Sequence, residues 1–191
     1  NSEILPFKKI KEKYSIPNLY FHLPNQFWKH KNHFIVAEAV EILKKKKIYI
    51  NVVCTGNTND YRNPEFFSSF LQLLKTLKIE SQFIILGMIP YEEMISLMYY
   101  CKAVINPSLF EGWSTTVEES KILNKDILLS DIAVHKEQNP RNALFFNVMS
   151  PIDLADKIEE CLKKKYTLKS DIITKQSTIK SYEKNVLEFA L

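Results

Sequence analysis

Short apolar runs alternate with longer amphipathic stretches along most of the chain. Compact apolar runs rich in Ile, Val, Leu and Phe predict β-strands. They cover residues 19–23, 48–53, 83–86, 103–105, 127–129 and 143–146. Apolar residues spaced three or four apart predict helices between and after these strands. The predicted helices cover residues 33–43, 64–77, 91–100, 115–123, 151–163 and 168–189.

Strands that alternate with helices predict a parallel sheet covered on both faces, because parallel strands need crossover connections. The predicted fold class is therefore α/β, a single doubly wound, Rossmann-like domain with a mainly parallel sheet. We assign residues 1–18 to an N-terminal linker segment, 19–165 to this domain and 166–191 to a C-terminal helix. A doubly wound sheet binds ligands beyond the carboxyl ends of its strands.

Glycine is scarce, and its positions bear on where a ligand binds. The three glycines, Gly56, Gly87 and Gly112, each stand at or just beyond the carboxyl end of a predicted strand. Glycine permits positive φ and close backbone approach, which suits an edge that faces a ligand. Strand-to-helix turns that simply need glycine explain the same placement, so both interpretations stay open here.

Composition and charge argue against several classes of function. The chain has 26 Lys and Arg against 22 Asp and Glu, and only Arg62 and Arg141 are arginines, which argues against nucleic-acid binding. Cys54, Cys101 and Cys161 are far apart and form no Cys/His cluster. We therefore expect buried free thiols and no metal site. No apolar run approaches the roughly 20 residues that span a bilayer.

The four lysines at 44–47 end a predicted helix. Cations are favoured at a helix C-terminus, so a solvated helix end is one interpretation, and attraction to a membrane surface is the other. The chain begins with Asn1 rather than Met, and we therefore expect a piece of a longer protein.

The segment 110–120 carries the most chemistry. It follows a predicted strand and opens a predicted helix, where free backbone N–H groups attract anions. Glu111 and Glu119 stand in it with seven residues between them, and Glu119 is placed to bind ribose hydroxyls while the helix start holds a diphosphate. The alternative is structural. Thr115 and Thr116 each precede a glutamate by three residues, so Glu119 caps the helix and Glu111 is a solvated loop residue.

This segment and its surroundings resemble the retaining glycosyltransferases of family 4, which have the GT-B fold. Residues 107–119 are similar to the family's Glu-x7-Glu motif, and residues 87–99 to the strand, glycine and short helix before it. Residues 127–132 resemble the segment after the motif, and residues 23–33 the family's first phosphate-binding loop and helix start. The resemblance runs from about residue 19 to about residue 165.

The resemblance implies a role for each matching residue. Lys31 corresponds to the lysine on the donor diphosphate, and Glu111 to the carboxylate facing the donor sugar, which makes it the catalytic candidate. Glu119 corresponds to the carboxylate on the ribose, and Ile89 to a backbone contact with the base. The implied phosphate-binding helix start, with the backbone amides at 115 and 116, consists of Gly112, Trp113, Ser114, Thr115 and Thr116.

The chain departs from the family pattern in two places. Gln26 stands about where the family usually has an arginine that shares the diphosphate with the lysine, and Lys29 and His30 are close enough to substitute. The usual Gly-Phe-Gly-Leu-Pro after the first glutamate is replaced by residues 112–116, whose hydroxyls could donate to phosphate. These departures bear on donor affinity and donor identity.

The resemblance also implies substrates and partners. The donor is a nucleotide-sugar, UDP- or GDP-linked, bound without a cofactor or metal, and its sugar is transferred with retention. The chain corresponds to the C-terminal, donor-binding half of a GT-B enzyme of polysaccharide biosynthesis. Its partner is an N-terminal acceptor-binding domain of the same protein, and the chain alone is expected to be inactive. We expect a cytoplasmic protein with peripheral contact to the inner face of the membrane. A sugar-nucleotide epimerase half and a non-catalytic nucleotide-binding or interaction domain are the alternatives.

Overall fold

The computed structural model describes residues 4–166, and the segments that the apolar pattern predicts as strands form one sheet. Its strands are β1 Phe21–Pro24, β2 Val52–Thr55, β3 Phe83–Gly87, β4 Val104–Asn106, β5 Ile127–Ser130 and β6 Ala143–Phe146. The helices are α1 Phe7–Tyr14, α2 His33–Lys45, α3 Phe66–Leu77, α4 Tyr91–Tyr100, α5 Thr115–Ile122, α6 Ala133–Gln138 and α7 Pro151–Lys163. Short 3₁₀ turns cover Lys29–Lys31 and Glu80–Gln82.

All five strand pairs are parallel, in the order β3-β2-β1-β4-β5-β6. The order reverses between β1 and β4, which gives the sheet two halves wound in opposite directions. The predicted doubly wound α/β class is therefore confirmed. The loops that follow β1 and β4 lie side by side at this switch point, where such sheets bind ligands.

The sheet separates two hydrophobic cores. One lies under α2, α3 and α7, and the other under α1, α4 and α5. Successive strand residues face opposite sides, so in β5 Leu128 joins the first core while Ile127 and Leu129 join the second. Burying each such side chain contributes about 1.5–3 kcal/mol. Both faces of the sheet are therefore stabilised by apolar packing, which holds the carboxyl ends of the strands in place.

Residues 1–18, which the apolar pattern assigns to a linker, contain helix α1. Phe7 and Ile10 stand three residues apart and are buried in the second core. An ion pair of 2.7 Å between Lys13 Nζ and Glu93 Oε1 fixes the helix to α4. The stretch differs from the expectation because a single apolar face, crowded by lysines, gives too little periodicity to predict a helix. The C-terminal helix expected over 166–191 lies outside the described residues from position 167 onward.

The cysteine, lysine-run and membrane expectations have simple structural counterparts. The three cysteines are free and buried, as predicted. In the run at the end of α2, Lys44 Nζ donates to the carbonyl of Lys78, while Lys46 pairs with Glu159. These contacts support the solvated helix end. None of the helices within residues 4–166 combines the length and the apolar composition of a membrane-spanning segment.

Candidate functional site

An ion pair joins the two loops at the switch point. Lys31 lies on the 3₁₀ turn after β1, and Glu111 on the loop between β4 and α5. Lys31 Nζ lies 2.6 Å from Glu111 Oε1, with the two side chains only 14% and 10% exposed. The structure therefore brings together two residues that are 80 positions apart and that the sequence analysis placed in one site.

Backbone and ring contacts hold these two loops against each other. The amide of Leu109 donates to the carbonyl of His30 over 2.8 Å. The rings of His30 and Phe110 stack with centroids 4.5 Å apart. Burial lowers the pKa of His30, and the neighbouring Lys31 lowers it further. The His30 ring is therefore uncharged at neutral pH, which does not support its substituting for the missing arginine.

A buried polar chain supports Glu111 from beneath. Ser108 Oγ lies 2.7 Å from Glu111 Oε1, and Ser130 Oγ donates to the carbonyl of Ser108 over 2.6 Å. His135 Nδ1 lies 3.0 Å from the carbonyl of Ser130 and 3.1 Å from its hydroxyl. A carbonyl only accepts, so His135 carries its proton on Nδ1. Burial lowers the pKa of His135, which keeps this support neutral.

The start of α5 is oriented without a side-chain cap. Ser114 is the N-cap residue, and its hydroxyl accepts from Asn106 Nδ2 over 2.9 Å instead of capping the helix. Gln138 Nε2 donates to the Ser114 carbonyl over 2.9 Å. The amides of Thr115 and Thr116 belong to the first turn, whose N–H groups have no intrahelical partner. This start therefore has the unused donors and the positive dipole end that suit an anion.

Neither glutamate of the proposed capping boxes caps α5. Glu118 pairs with Lys121 and accepts from Gln138. Glu119 Oε1 accepts from the hydroxyl of Tyr91 over 2.9 Å. The structure thus gives no support to the capping interpretation of Glu119.

Glu119 is half-buried beside Tyr91. Burial raises its pKa, and the hydrogen bond from Tyr91 opposes that rise. Tyr91 opens α4 directly after the loop that holds Ile89, which is half-buried against the second core. The contact between Tyr91 and Glu119 therefore brings the predicted base-contacting segment next to the predicted ribose carboxylate. No hydrogen bond or ion pair of the described residues joins Glu119 to Lys31 or Glu111.

Gln26 fastens the β1 loop to the β2 loop. Its Oε1 accepts from the amide of Asn57 over 2.6 Å. Gly56 is needed at the same place, because at φ 135° a Cβ would lie 2.4 Å from the carbonyl oxygen of Asn25. The close approach of the Asn25 backbone is therefore enough to explain why glycine stands at position 56. Around Gly112, by contrast, a Cβ would meet nothing within 4 Å, so its backbone borders open space.

Exposed aromatic side chains border the site. Phe110 is 64% exposed and Trp113 is 50% exposed, so Trp113 is not a core residue. Trp28 is half-buried, with the guanidinium of Arg62 5.0 Å from its ring centroid. Of these two tryptophans, Trp113 is the more exposed and has more of its ring open to a ligand.

Several residues of the site were missed by sequence reasoning. Their shared feature is that each is a polar side chain whose hydrogen bonds to the site form only in the folded structure. They are Tyr91, Asn106, Ser108, Ser130, His135 and Gln138. Position at a strand end was the available signal for two of them, Asn106 and Ser130. In residues 4–166, no group of three or more His, Cys, Asp or Glu side chains is placed to hold a metal ion.

Solved structures share this fold over most of the chain. A glycosyltransferase from Rickettsia africae matches with a TM-score of 0.73 and 22% identity, covering 97% of this chain and 48% of that one. Anabaena Alr3699/HepE in complex with UDP and glucose matches with a TM-score of 0.71 and 16% identity, covering 82% of this chain and 42% of that one. Sucrose-phosphate synthase from Thermosynechococcus elongatus matches with a TM-score of 0.67 and 14% identity, covering 83% and 40%.

These matched structures are GT-B glycosyltransferases, and the chain spans about half the length of each. A comparison with curated protein sequences gave no match. The family model of glycosyl transferases group 1 matches residues 6–179. That range covers most of the chain and includes both the ion pair at the switch point and the start of α5. The chain therefore belongs to the glycosyl transferases group 1 family.

Proposed function

We propose that this chain is the donor-binding half of a retaining glycosyltransferase of family 4, which moves a sugar from a nucleotide-sugar to an acceptor. The observation that carries the proposal is the Lys31–Glu111 pair, held at the switch point in front of the start of α5. The loop that holds Glu111 also leads into the start of α5, and a cation, a carboxylate and backbone donors on these loops would suit a diphosphate-linked sugar. The HepE structure holds UDP and glucose on a similar fold.

The departing diphosphate is the charge that such an enzyme must stabilise. Lys31 supplies a positive charge from the β1 side, and the amides of Thr115 and Thr116 supply donors at the positive end of α5. Donors fixed in place before the reaction stabilise developing charge without reorganisation. The loop in front of these amides borders open space at Gly112. It is anchored at Ser114, whose hydroxyl accepts from Asn106 Nδ2.

The nucleoside is assigned to the other side of α5. Glu119 accepts from the vicinal ribose hydroxyls as it now accepts from Tyr91. The backbone at Ile89 contacts the base, and the exposed ring of Trp113 covers the donor. Gln26 contributes by fixing the loop that bears Lys31, since its oxygen is already bound to Asn57.

Glu111 has two successive roles in this proposal. Before the donor binds, it neutralises Lys31. The diphosphate of the donor carries more negative charge than the Glu111 carboxylate, so it replaces Glu111 as the partner of Lys31. The released carboxylate then turns to the donor sugar. As a nucleophile it displaces the nucleoside diphosphate and forms a glycosyl-enzyme, which the acceptor then displaces with net retention. As an electrostatic and positioning group it gives retention only if the acceptor attacks from the same face as the departing diphosphate. The Ser108 hydroxyl holds the carboxylate in position during this exchange.

We also propose that catalysis needs a second domain. GT-B active sites lie between two domains, and the chain spans about half of the matched structures. The acceptor would bind on an N-terminal domain of the same protein, and this chain alone would bind nucleotide and transfer little or no sugar. Location in the cytoplasm at the inner membrane face belongs to the same proposal, as does a role in polysaccharide biosynthesis.

Calorimetry with UDP, GDP and ADP tests the proposal. We expect the wild-type chain to bind at least one of them, and Glu119→Ala to weaken binding at least tenfold. Glu92→Ala, an exposed carboxylate on the first turn of α4, is the matched control and should bind as wild type does. If no nucleotide binds, the interaction-domain alternative replaces the proposal. If Glu119→Ala binds like wild type, the ribose role is refuted. Conversion of the donor sugar without transfer would favour the epimerase alternative.

A further inference from the structure

A polar cavity, separate from the proposed donor site, lies at the opposite edge of the sheet. It has a volume of about 160 Å³ and lies beside the amino ends of β4 and β5, where the chain leaves α4, α5 and α7. Its lining includes Tyr99, Lys102, Asn124, Lys125, Asp126 and Lys165. Three lysines and one aspartate give these walls a net positive charge. The proposed donor site is at the carboxyl ends of the strands, so this cavity takes no part in it.

Lys125 is the unusual residue of this cavity. It is only 7% exposed, and within residues 4–166 its ammonium group forms neither a hydrogen bond nor an ion pair. Burial lowers the pKa of Lys125, while the nearby Cys101 and Asp126 oppose that shift. The carboxylate of Asp126 lies 3.7 Å from Lys164 Nζ, so it is already shared. The ammonium group of Lys125 is not fully enclosed by protein atoms, so an anion in the cavity can reach it.

Lys102 adds a second buried cation. It is 5% exposed, and its Nζ donates to the carbonyl of Lys164 over 2.7 Å. That contact satisfies one donor, and the ring of Tyr166 lies beside the same ammonium group, with its centroid 5.5 Å from Nζ. Helix C-termini favour lysines, which is an alternative reason for cations at this edge. It accounts for the carbonyl bound by Lys102 but not for Lys125, which binds none.

We propose that this cavity is a binding site for a phosphate group, either inorganic phosphate or a small phosphomonoester. Lysine ammonium groups bind phosphate as point charges. A volume of about 160 Å³ is about ten times the ~10–15 Å³ that a single water requires, so a phosphate group fits in the cavity. Lys125 and Lys102 provide the fixed charge, and the exposed Lys165 closes over the anion from the solvent side.

Calorimetric titration with inorganic phosphate, on the wild-type chain and three variants, tests this site. We expect millimolar or tighter binding to wild type and at least a tenfold loss in Lys125→Met. Lys31→Met, in the donor site, should keep binding at this cavity, and Lys75→Met, an exposed lysine on α3, should match wild type. Loss of binding in Lys31→Met alone would overturn the proposal, because phosphate would then occupy the donor site. Absence of phosphate binding to wild type would also overturn it and leave the lysines as partners of helix ends.

Two further measurements keep the result clear. Lys165→Ala changes an exposed side chain without touching the core, and we expect it to weaken phosphate binding severalfold even if Lys125→Met is poorly folded. Thermal unfolding gives the second readout: phosphate should raise the midpoint of wild type more than that of Lys125→Met, because each bound phosphate adds to the stability of the folded chain. Equal midpoint shifts in both proteins would refute a site at Lys125. Glycerol 3-phosphate in place of phosphate separates a phosphomonoester site from one that admits only the free ion.

Discussion

Replacing Lys31 by Met should destabilise the chain through the carboxylate it leaves behind. Glu111 is only 10% exposed in its side chain and would lose its cation. Removing one partner of a fully buried ion pair costs about 3–5 kcal/mol. Here both side chains keep some contact with water, and Ser108 still binds Glu111. We therefore expect the free energy of unfolding to fall by about 2–3 kcal/mol.

Urea denaturation at pH 7 measures this loss. With m-values of about 1–3 kcal/mol/M, the midpoint should fall by roughly 1 M. Lys46→Met, which breaks the more exposed pair with Glu159, is the control and should lower the free energy of unfolding far less, because exposed ion pairs contribute little to stability. The double variant Lys31→Met/Glu111→Gln should recover most of the loss because no unpaired charge remains. A single variant no less stable than the control, or a double variant as unstable as Lys31→Met, would refute the reasoning.

Three further predictions follow from single contacts. Tyr91→Phe removes the hydrogen bond that opposes the raised pKa of Glu119, so the pKa of Glu119 should rise further in this variant. As the pH is lowered, the variant should therefore lose affinity for UDP at a higher pH than wild type does. Identical pH profiles of UDP affinity would contradict this. Burial lowers the pKa of His33 from 6.5 to about 3, so only the unfolded chain takes up its proton between pH 7 and 5. The stability lost over that range should be about 2 kcal/mol smaller in His33→Phe, and equal losses by urea denaturation would refute it. Gly56→Ala should cost about 2 kcal/mol or more in the same assay and Gly112→Ala much less, because only the first Cβ meets backbone; similar costs would disprove the close approach.

The sequence predicted the sheet well because its strands are buried and apolar. All six predicted strands exist, with ends shifted by up to four residues, and the alternation with helices led directly to the parallel, doubly wound topology. Helix α1 was missed because only two of its residues, Phe7 and Ile10, are buried. Helix α6 was missed because its six residues are too few to show a period.

The site was predictable only where residues matched a motif. The pairing of Lys31 with Glu111 could be expected because both follow strands that end at one edge of the sheet. The Ser108–Ser130–His135 support could not, because common polar side chains acquire their partners only once β4 and β5 lie side by side. The role of Gln26 in binding the amide of Asn57 likewise depends on how closely two loops approach.

Amide NMR of the chain titrated with UDP tests the central claim most directly. We predict that the largest shift changes fall on the amides of Thr115 and Thr116, with saturable changes around Lys31 and Glu119. Amides beside Lys125, at the other edge of the sheet, should not move. Changes confined to surfaces away from the start of α5, or no saturable change at any UDP concentration, would contradict the assignment of this edge as the donor site.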